Sequence, residues 1–229
     1  PVRTAMSAAV DAFVRALSSV ELENVFNPYA ERCPLYDRND APRRRQQNLA
    51  MSLETAIDLK VRTIWIARDL GYRGGRRTGL ALTDEVHLDS YSVLFQGLRV
   101  AKATKGPAVG ERTATVIWQM LQRLAEPVFL WNVFPLHPHE PGAPMSNRCH
   151  TRRERQACAR FLLDIMDLLQ PETVIAIGGD AHRAVDEMGV SAIQVRHPSY
   201  GGQNTFIAQI EQAYALPPCR TPDLFTQPA

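Results

Sequence analysis

VRTIWIA at residues 61–67 is a short run rich in β-branched and aromatic side chains. Such a run predicts a strand buried on both sides. A helical pattern carrying Leu49, Leu53, Ala56 and Ile57 leads into it. A glycine- and arginine-rich loop, 69–79, leaves it, too irregular for any regular element. The same unit then recurs. VFLWNVF (128–134) runs into a proline- and histidine-rich loop at 135–151. TVIAI (173–177) runs into Gly178, Gly179 and a short helix with Asp180 as its N-cap. AIQVR (192–196) runs into His197-Pro-Ser-Tyr-Gly-Gly. Apolar residues at helical spacing predict helices over 5–19, 111–125, 152–169 and 203–214. Strands alternating with helices predict an α/β protein: a three-layer α/β/α sandwich with a central four-stranded parallel sheet. Ligands of such sheets bind beyond the carboxyl ends of the strands, and all four loops belong to that edge.

The chain has 229 residues, 45% of them hydrophobic, which suits a single domain over 1–216 with a proline-rich tail over 217–229. No apolar run approaches the roughly 20 residues of a membrane helix, and residues 1–20 read as an amphipathic helix rather than a signal peptide. No internal period of ~20–50 residues suggests a solenoid. Four cysteines, Cys33, Cys149, Cys158 and Cys219, form no C-x-x-C pair, so neither a zinc ribbon nor an iron–sulfur centre is expected. They read as free thiols of a cytoplasmic protein, with no metal, no cofactor and no membrane partner. Net charge is only +2, yet three lysines stand against 23 arginines. A GC-rich genome favours arginine codons, but the placement is informative too. Clusters at 43–45, 73–77 and 148–155 suit a local phosphate-binding face.

These loops resemble the uracil-DNA glycosylase superfamily. Its first motif, after strand one, is matched by Ala67-Arg68-Asp69-Leu70-Gly71-Tyr72. Its asparagine at the end of strand two is matched by Asn132, and its last motif by His197-Pro198-Ser199-Tyr200-Gly201-Gly202. The resemblance spans roughly 20–215. It also has departures. Leu70 replaces a proline, Arg68 stands where one branch has a glutamate, and Leu82 stands where another has a phenylalanine stacked under the base. Gly201 takes the place of a leucine wedge.

The resemblance implies a monomeric DNA-repair enzyme that hydrolyses the N-glycosidic bond of uracil in DNA and leaves an abasic site. Base excision needs the base flipped into a close pocket. Bond breakage makes a cationic sugar and an anionic base, so it wants a carboxylate by the sugar and a hydrogen-bond donor at uracil O2. Asp69 and His197 are the candidates, and a neutral histidine suffices. Asn132 would grip the base, Gly71 would permit its approach, and Tyr72 or Tyr29 would stack on it. Arg73, Arg76 and Arg77 would contact DNA phosphates, together with Ser199 and Gly201, and Tyr200 would fill the emptied stack. Glycines 74, 75 and 79 would likewise permit close approach of a ligand. No lysine lies near the motifs, which points to a monofunctional hydrolase rather than a Schiff-base lyase. His137, His139 and Glu140 lack helical metal-site spacing and read as loop structure or a phosphate contact. Two other readings stay open: a glycosylase-fold protein that binds abasic or mismatched DNA with little turnover, and a nucleoside or nucleotide hydrolase. The latter lacks the glycine-rich phosphate fingerprints.

Overall fold

The computed structural model describes residues 2–124 and 126–218; Cys219 and the tail from 219 onward lie outside the described residues. Helices α1 (Val2–Ser18) and α2 (Ala41–Asp58), with a two-residue strand β1 (Val25–Phe26) between them, precede β2 (Thr63–Asp69). Then come a one-turn helix α3 (Gly75–Thr78), a 3₁₀ turn (Glu85–His87), α4 (Leu88–Leu94) and α5 (Arg112–Leu121). They are followed by β3 (Phe129–Phe134), β4 (His137–Pro138), α6 (Arg152–Leu169), β5 (Thr173–Ile177), α7 (Gly179–Glu187), β6 (Ile193–Val195) and α8 (Gln203–Ala213).

The main sheet has the order β3-β2-β5-β6 and every pairing in it is parallel. Register fixes the layers. Ile66 pairs with Trp131 and Trp65 with Leu130, so the members of each pair share a face, and the two pairs point to opposite faces. Trp131 meets Phe13 of α1 at 5.7 Å, and Phe13 meets Phe161 of α6 at 5.6 Å. On the other face Trp65 meets Phe206 of α8 at 6.1 Å. Helices therefore cover both faces, which is the expected three-layer sandwich. Ile64, Trp65 and Ile66 are 0% exposed, which explains why the strand sequence shows no polar alternation. Among the described residues no helix is long and apolar enough to cross a membrane.

Four details differ from the sequence reading. The loop at 69–79 contains α3, a single turn closed by Gly79 in the left-handed region. Residues 80–110, which carry no clear period, contain the 3₁₀ turn and α4. The loop at 135–151 contains β4, paired antiparallel with β1 in a second small sheet. The N-cap of α7 is Gly178, not Asp180, which lies in the first turn with its carboxylate held by arginines.

Candidate active site

The carboxyl ends of β2 and β6 border a cavity of about 220 Å³ that Asp69, Gly71, Leu82, Glu111, His197 and Ser199 help to line. It brings the first and last motifs together, as the topology predicts.

Asp69 ends β2 with a largely buried side chain. One carboxylate oxygen, Oδ2, accepts from Arg68 Nε at 2.6 Å. The other, Oδ1, accepts from Nδ1–H of His150. Arg68 also donates to Asp180 at 2.8 Å, so α7 and β2 share one guanidinium. His150 was not singled out by its sequence. It precedes Thr151, whose side chain accepts from the Glu154 backbone while Glu154 accepts from the Thr151 N–H. That capping box starts α6 and fixes the chain next to His150. A histidine abutting a Thr-x-x-Glu signature was the available clue.

His197 follows β6. Its Nδ1 accepts the Ser199 backbone N–H at 3.1 Å and the Ser199 hydroxyl at 2.7 Å. A nitrogen that accepts a backbone N–H carries no proton, so the neutral ring bears its proton on Nε2. Burial, reinforced by Arg68 and Arg196, pulls its pKa down to about 4. The ring is thus a neutral donor at neutral pH. Gly202 has a structural reason here: a Cβ on it would collide with the His197 carbonyl.

Asn132 lies on β3 opposite Ala67 and is 1% exposed. Its amide nitrogen donates to the Asp69 carbonyl at 3.1 Å, while its Oδ1 is buried with no partner. Buried polar atoms are nearly always paired, so such an oxygen is exceptional. Asn132 is not among the residues lining the cavity but is joined to Asp69, which is.

Glu111, at the start of α5, was also missed by sequence. Its backbone N–H donates to the buried Asp84 at 2.6 Å. Its carboxyl fills the space beside Gly71 and Gly74, where any Cβ would collide with it. Burial first, and the Asp84 carboxylate second, push its pKa up to about 7, with Arg73 acting in the opposite sense.

Several expectations need correction. Arg76 and Arg77 are 2% and 7% exposed and are not phosphate ligands. Arg76 lies over the Phe26 ring at 3.8 Å and donates to Tyr36 and to the Pro144 carbonyl. Arg77 donates to Glu85 at 3.0 Å and lies over the Tyr36 ring at 4.0 Å. Arg45 is likewise buried, clamped on Asp37. Tyr29 is no stacking residue: it is 1% exposed and its hydroxyl donates to the Gly79 carbonyl at 2.9 Å. Tyr72 is partly buried, with its backbone N–H bonded to Asn147, and is absent from the cavity lining, where Leu82 is present. Leu70 fills the space beside Gly75, and Arg45 that beside Gly79, so those two glycines serve internal packing, not a ligand. His137 accepts from Arg76 at 3.0 Å and lies buried in β4, so it is structural rather than a phosphate contact. Arg73 remains exposed, with its Nε on the Gly110 carbonyl. Tyr200 stands 97% exposed at a left-handed φ of 50°, beside Gly201, at the cavity rim.

The model of the uracil DNA glycosylase superfamily matches residues 71–215. That span includes Asn132 and His197 and begins two residues after Asp69. The crystal structure of wild-type Pedobacter heparinus SMUG2 superimposes with a TM-score of 0.60 over 92% of this chain and 97% of that one, at 15% identity. No curated protein sequence matches significantly.

Proposed function

Since the chain belongs to the uracil-DNA glycosylase superfamily, a family of DNA glycosylases, we propose that it hydrolyses the N-glycosidic bond of uracil in DNA without lyase activity. The observation that carries the choice of uracil is the Asn132 amide. With one N–H on the Asp69 carbonyl, its orientation is fixed. The second N–H and the unpaired Oδ1 then match O4 and N3–H of uracil side by side. Cytosine offers the reverse pair, so it would meet donor with donor, and a buried mismatch of this kind is strongly rejected.

His197 Nε2–H donates to O2 as the C1′–N1 bond breaks, and the electron pair goes to the base. Donation by a neutral ring needs no proton uptake. Asp69 lies on the sugar side, and its negative charge opposes the growing positive charge there. Arg68 and His150 hold that carboxylate in place, with both its oxygens engaged. Water then adds to C1′ and gives up a proton, which neutralises the departed uracil anion, so that free uracil and the abasic site are left. Leu82 supplies an apolar wall for the flipped ring, and Tyr200 enters the duplex in its place.

The test is excision from oligonucleotides carrying one uracil or one cytosine, read by alkaline cleavage of the abasic product. Uracil removal with cytosine left intact supports the reading. Tight binding to abasic DNA with no turnover on uracil overturns it in favour of a binding protein.

A further inference from the structure

We propose that Glu111 is a specificity-determining residue, the group that meets the C5 edge of the flipped base and keeps thymine out. This rests on the uracil reading above. Uracil and thymine present identical O2, N3–H and O4 groups, so His197 and Asn132 cannot tell them apart. The sole difference is a methyl on C5, and thymine is a normal base of DNA that such an enzyme must leave intact. Some other part of the wall must therefore read C5.

The fixed Asn132 amide places the N3–O4 edge beside the Asp69 carbonyl. C5 adjoins C4, so its edge faces the wall that continues from Asp69 through Leu70 to Gly71. Gly71 has no side chain with which to fill that wall, and the Glu111 carboxyl occupies the place. The same carboxyl blocks Gly74, so it spans the turn between the two glycines. Its backbone is fixed by the bond from the Glu111 N–H to Asp84, which in turn caps the 3₁₀ turn through Val86 and His87. A carboxyl packed against the backbone of both glycines leaves room for a hydrogen. A methyl would overlap it and bury its oxygens without a partner. Its elevated pKa reports the same partial desolvation that makes further burial costly.

The experiment measures single-turnover excision from single-stranded oligonucleotides carrying uracil, 5-fluorouracil, 5-bromouracil or thymine. Fluorine and bromine both withdraw electrons, but only bromine matches a methyl in size. The wild-type protein should remove uracil and 5-fluorouracil and spare 5-bromouracil and thymine. Glu111→Ala should raise removal of 5-bromouracil and thymine by about 10-fold or more relative to uracil. Glu111→Gln, which keeps the volume, should still reject them. Equal removal of 5-bromouracil and 5-fluorouracil by the wild-type protein overturns the proposal, even if Glu111→Ala fails to fold. So does an unchanged thymine-to-uracil ratio in Glu111→Ala. A wild-type protein inert on uracil overturns the uracil reading itself, a result distinct from either of these.

Discussion

The loop after β2 and the loop after β6 feed the same cavity, and both carry adjacent glycines, yet they are built in opposite ways. The first folds inward. Its arginines 76 and 77 are buried against Phe26, Tyr36 and Glu85, and the space beside Gly71 and Gly74 is filled by Glu111. The second folds outward. It locks His197 through Ser199 and then lifts Tyr200 into solvent on a left-handed backbone. The first loop is therefore scaffold for the pocket, whereas the second leaves its tip exposed at the rim.

The sharpest way to break this contrast is to measure stability. Arg77→Ala takes from buried Glu85, which also accepts from the Val109 N–H, its nearer cation and leaves only Lys102 at 3.7 Å. Breaking a buried pair from one side costs about 3–5 kcal/mol when nothing compensates the charge, and with Lys102 still near Glu85 the loss should be about 2–3 kcal/mol. Tyr200→Ala removes an exposed side chain and should change stability by no more than about 0.5 kcal/mol. Urea unfolding of both variants checks this, and similar midpoints would erase the distinction between the loops.

Chemistry should then test Asp69 in the cavity wall and Asn132, which is bonded to it. Asn132→Asp loses the donor for O4 and should lower single-turnover uracil excision by about 10²-fold or more. Asp69→Ala should cost a similar factor with modest loss of DNA binding. Full uracil activity in Asn132→Asp would mean that the base is read elsewhere.

The sheet and its edge were legible because β2, β3 and β5 are short apolar runs separated by helical periods, a pattern that depends on neighbours along the chain. The places of Asp69, at the end of β2, of Asn132, inside β3, and of His197, just after β6, follow from the same topology, while the roles proposed for them were read from the resemblance. The arginines were misread because a count of charges says nothing of burial. Arg45, Arg76 and Arg77 find aromatic faces and carboxylates from segments distant in sequence. His150 and Glu111 were missed because their roles exist only after α6 and α5 dock against the end of β2. The fold is written in local periods, but the pocket walls come from long-range contacts.

Glu111 joins the cavity to pH. Its folded pKa of about 7 lies above the ordinary value of 4.5. Between these values the folded state holds more protons than the unfolded chain, so stability falls as pH rises through that window. His197 has the opposite sign: its folded pKa of about 4 lies below 6.5, so its contribution rises with pH from 4 to 6.5. Glu111→Gln should therefore gain on the wild type from pH 5 to 8, by on the order of 1–3 kcal/mol. Paired denaturation curves at the two pH values test this, and a constant difference would deny Glu111 its buried setting.

On DNA, Tyr200 should matter only where a stack must be filled. Tyr200→Ala should slow excision from a duplex by about 10-fold and leave single-stranded substrate nearly unaffected. Equal loss on both substrates would make Tyr200 a wall of the pocket rather than a wedge.

The smallest effect is also the most direct test of the inward fold of the first loop. Of its three arginines, Arg73 alone is exposed, and its Nε is held by the Gly110 carbonyl, which aims the guanidinium from a fixed base. One phosphate contact releases about one counterion, so Arg73→Ala should reduce the slope of log binding against log salt by about 0.9 for duplex DNA. The loss should be uniform across sequences, because phosphates carry no base identity. Arg76→Lys keeps the charge but loses the planar fork that lies on Phe26 and reaches the Pro144 carbonyl. It should therefore weaken folding and leave the salt slope unchanged. A reduced slope in Arg76→Lys would place that side chain on DNA and reverse the assignment of the loop as scaffold. An unchanged slope in Arg73→Ala would leave phosphate binding to the loop after β6 and the arginines outside both loops.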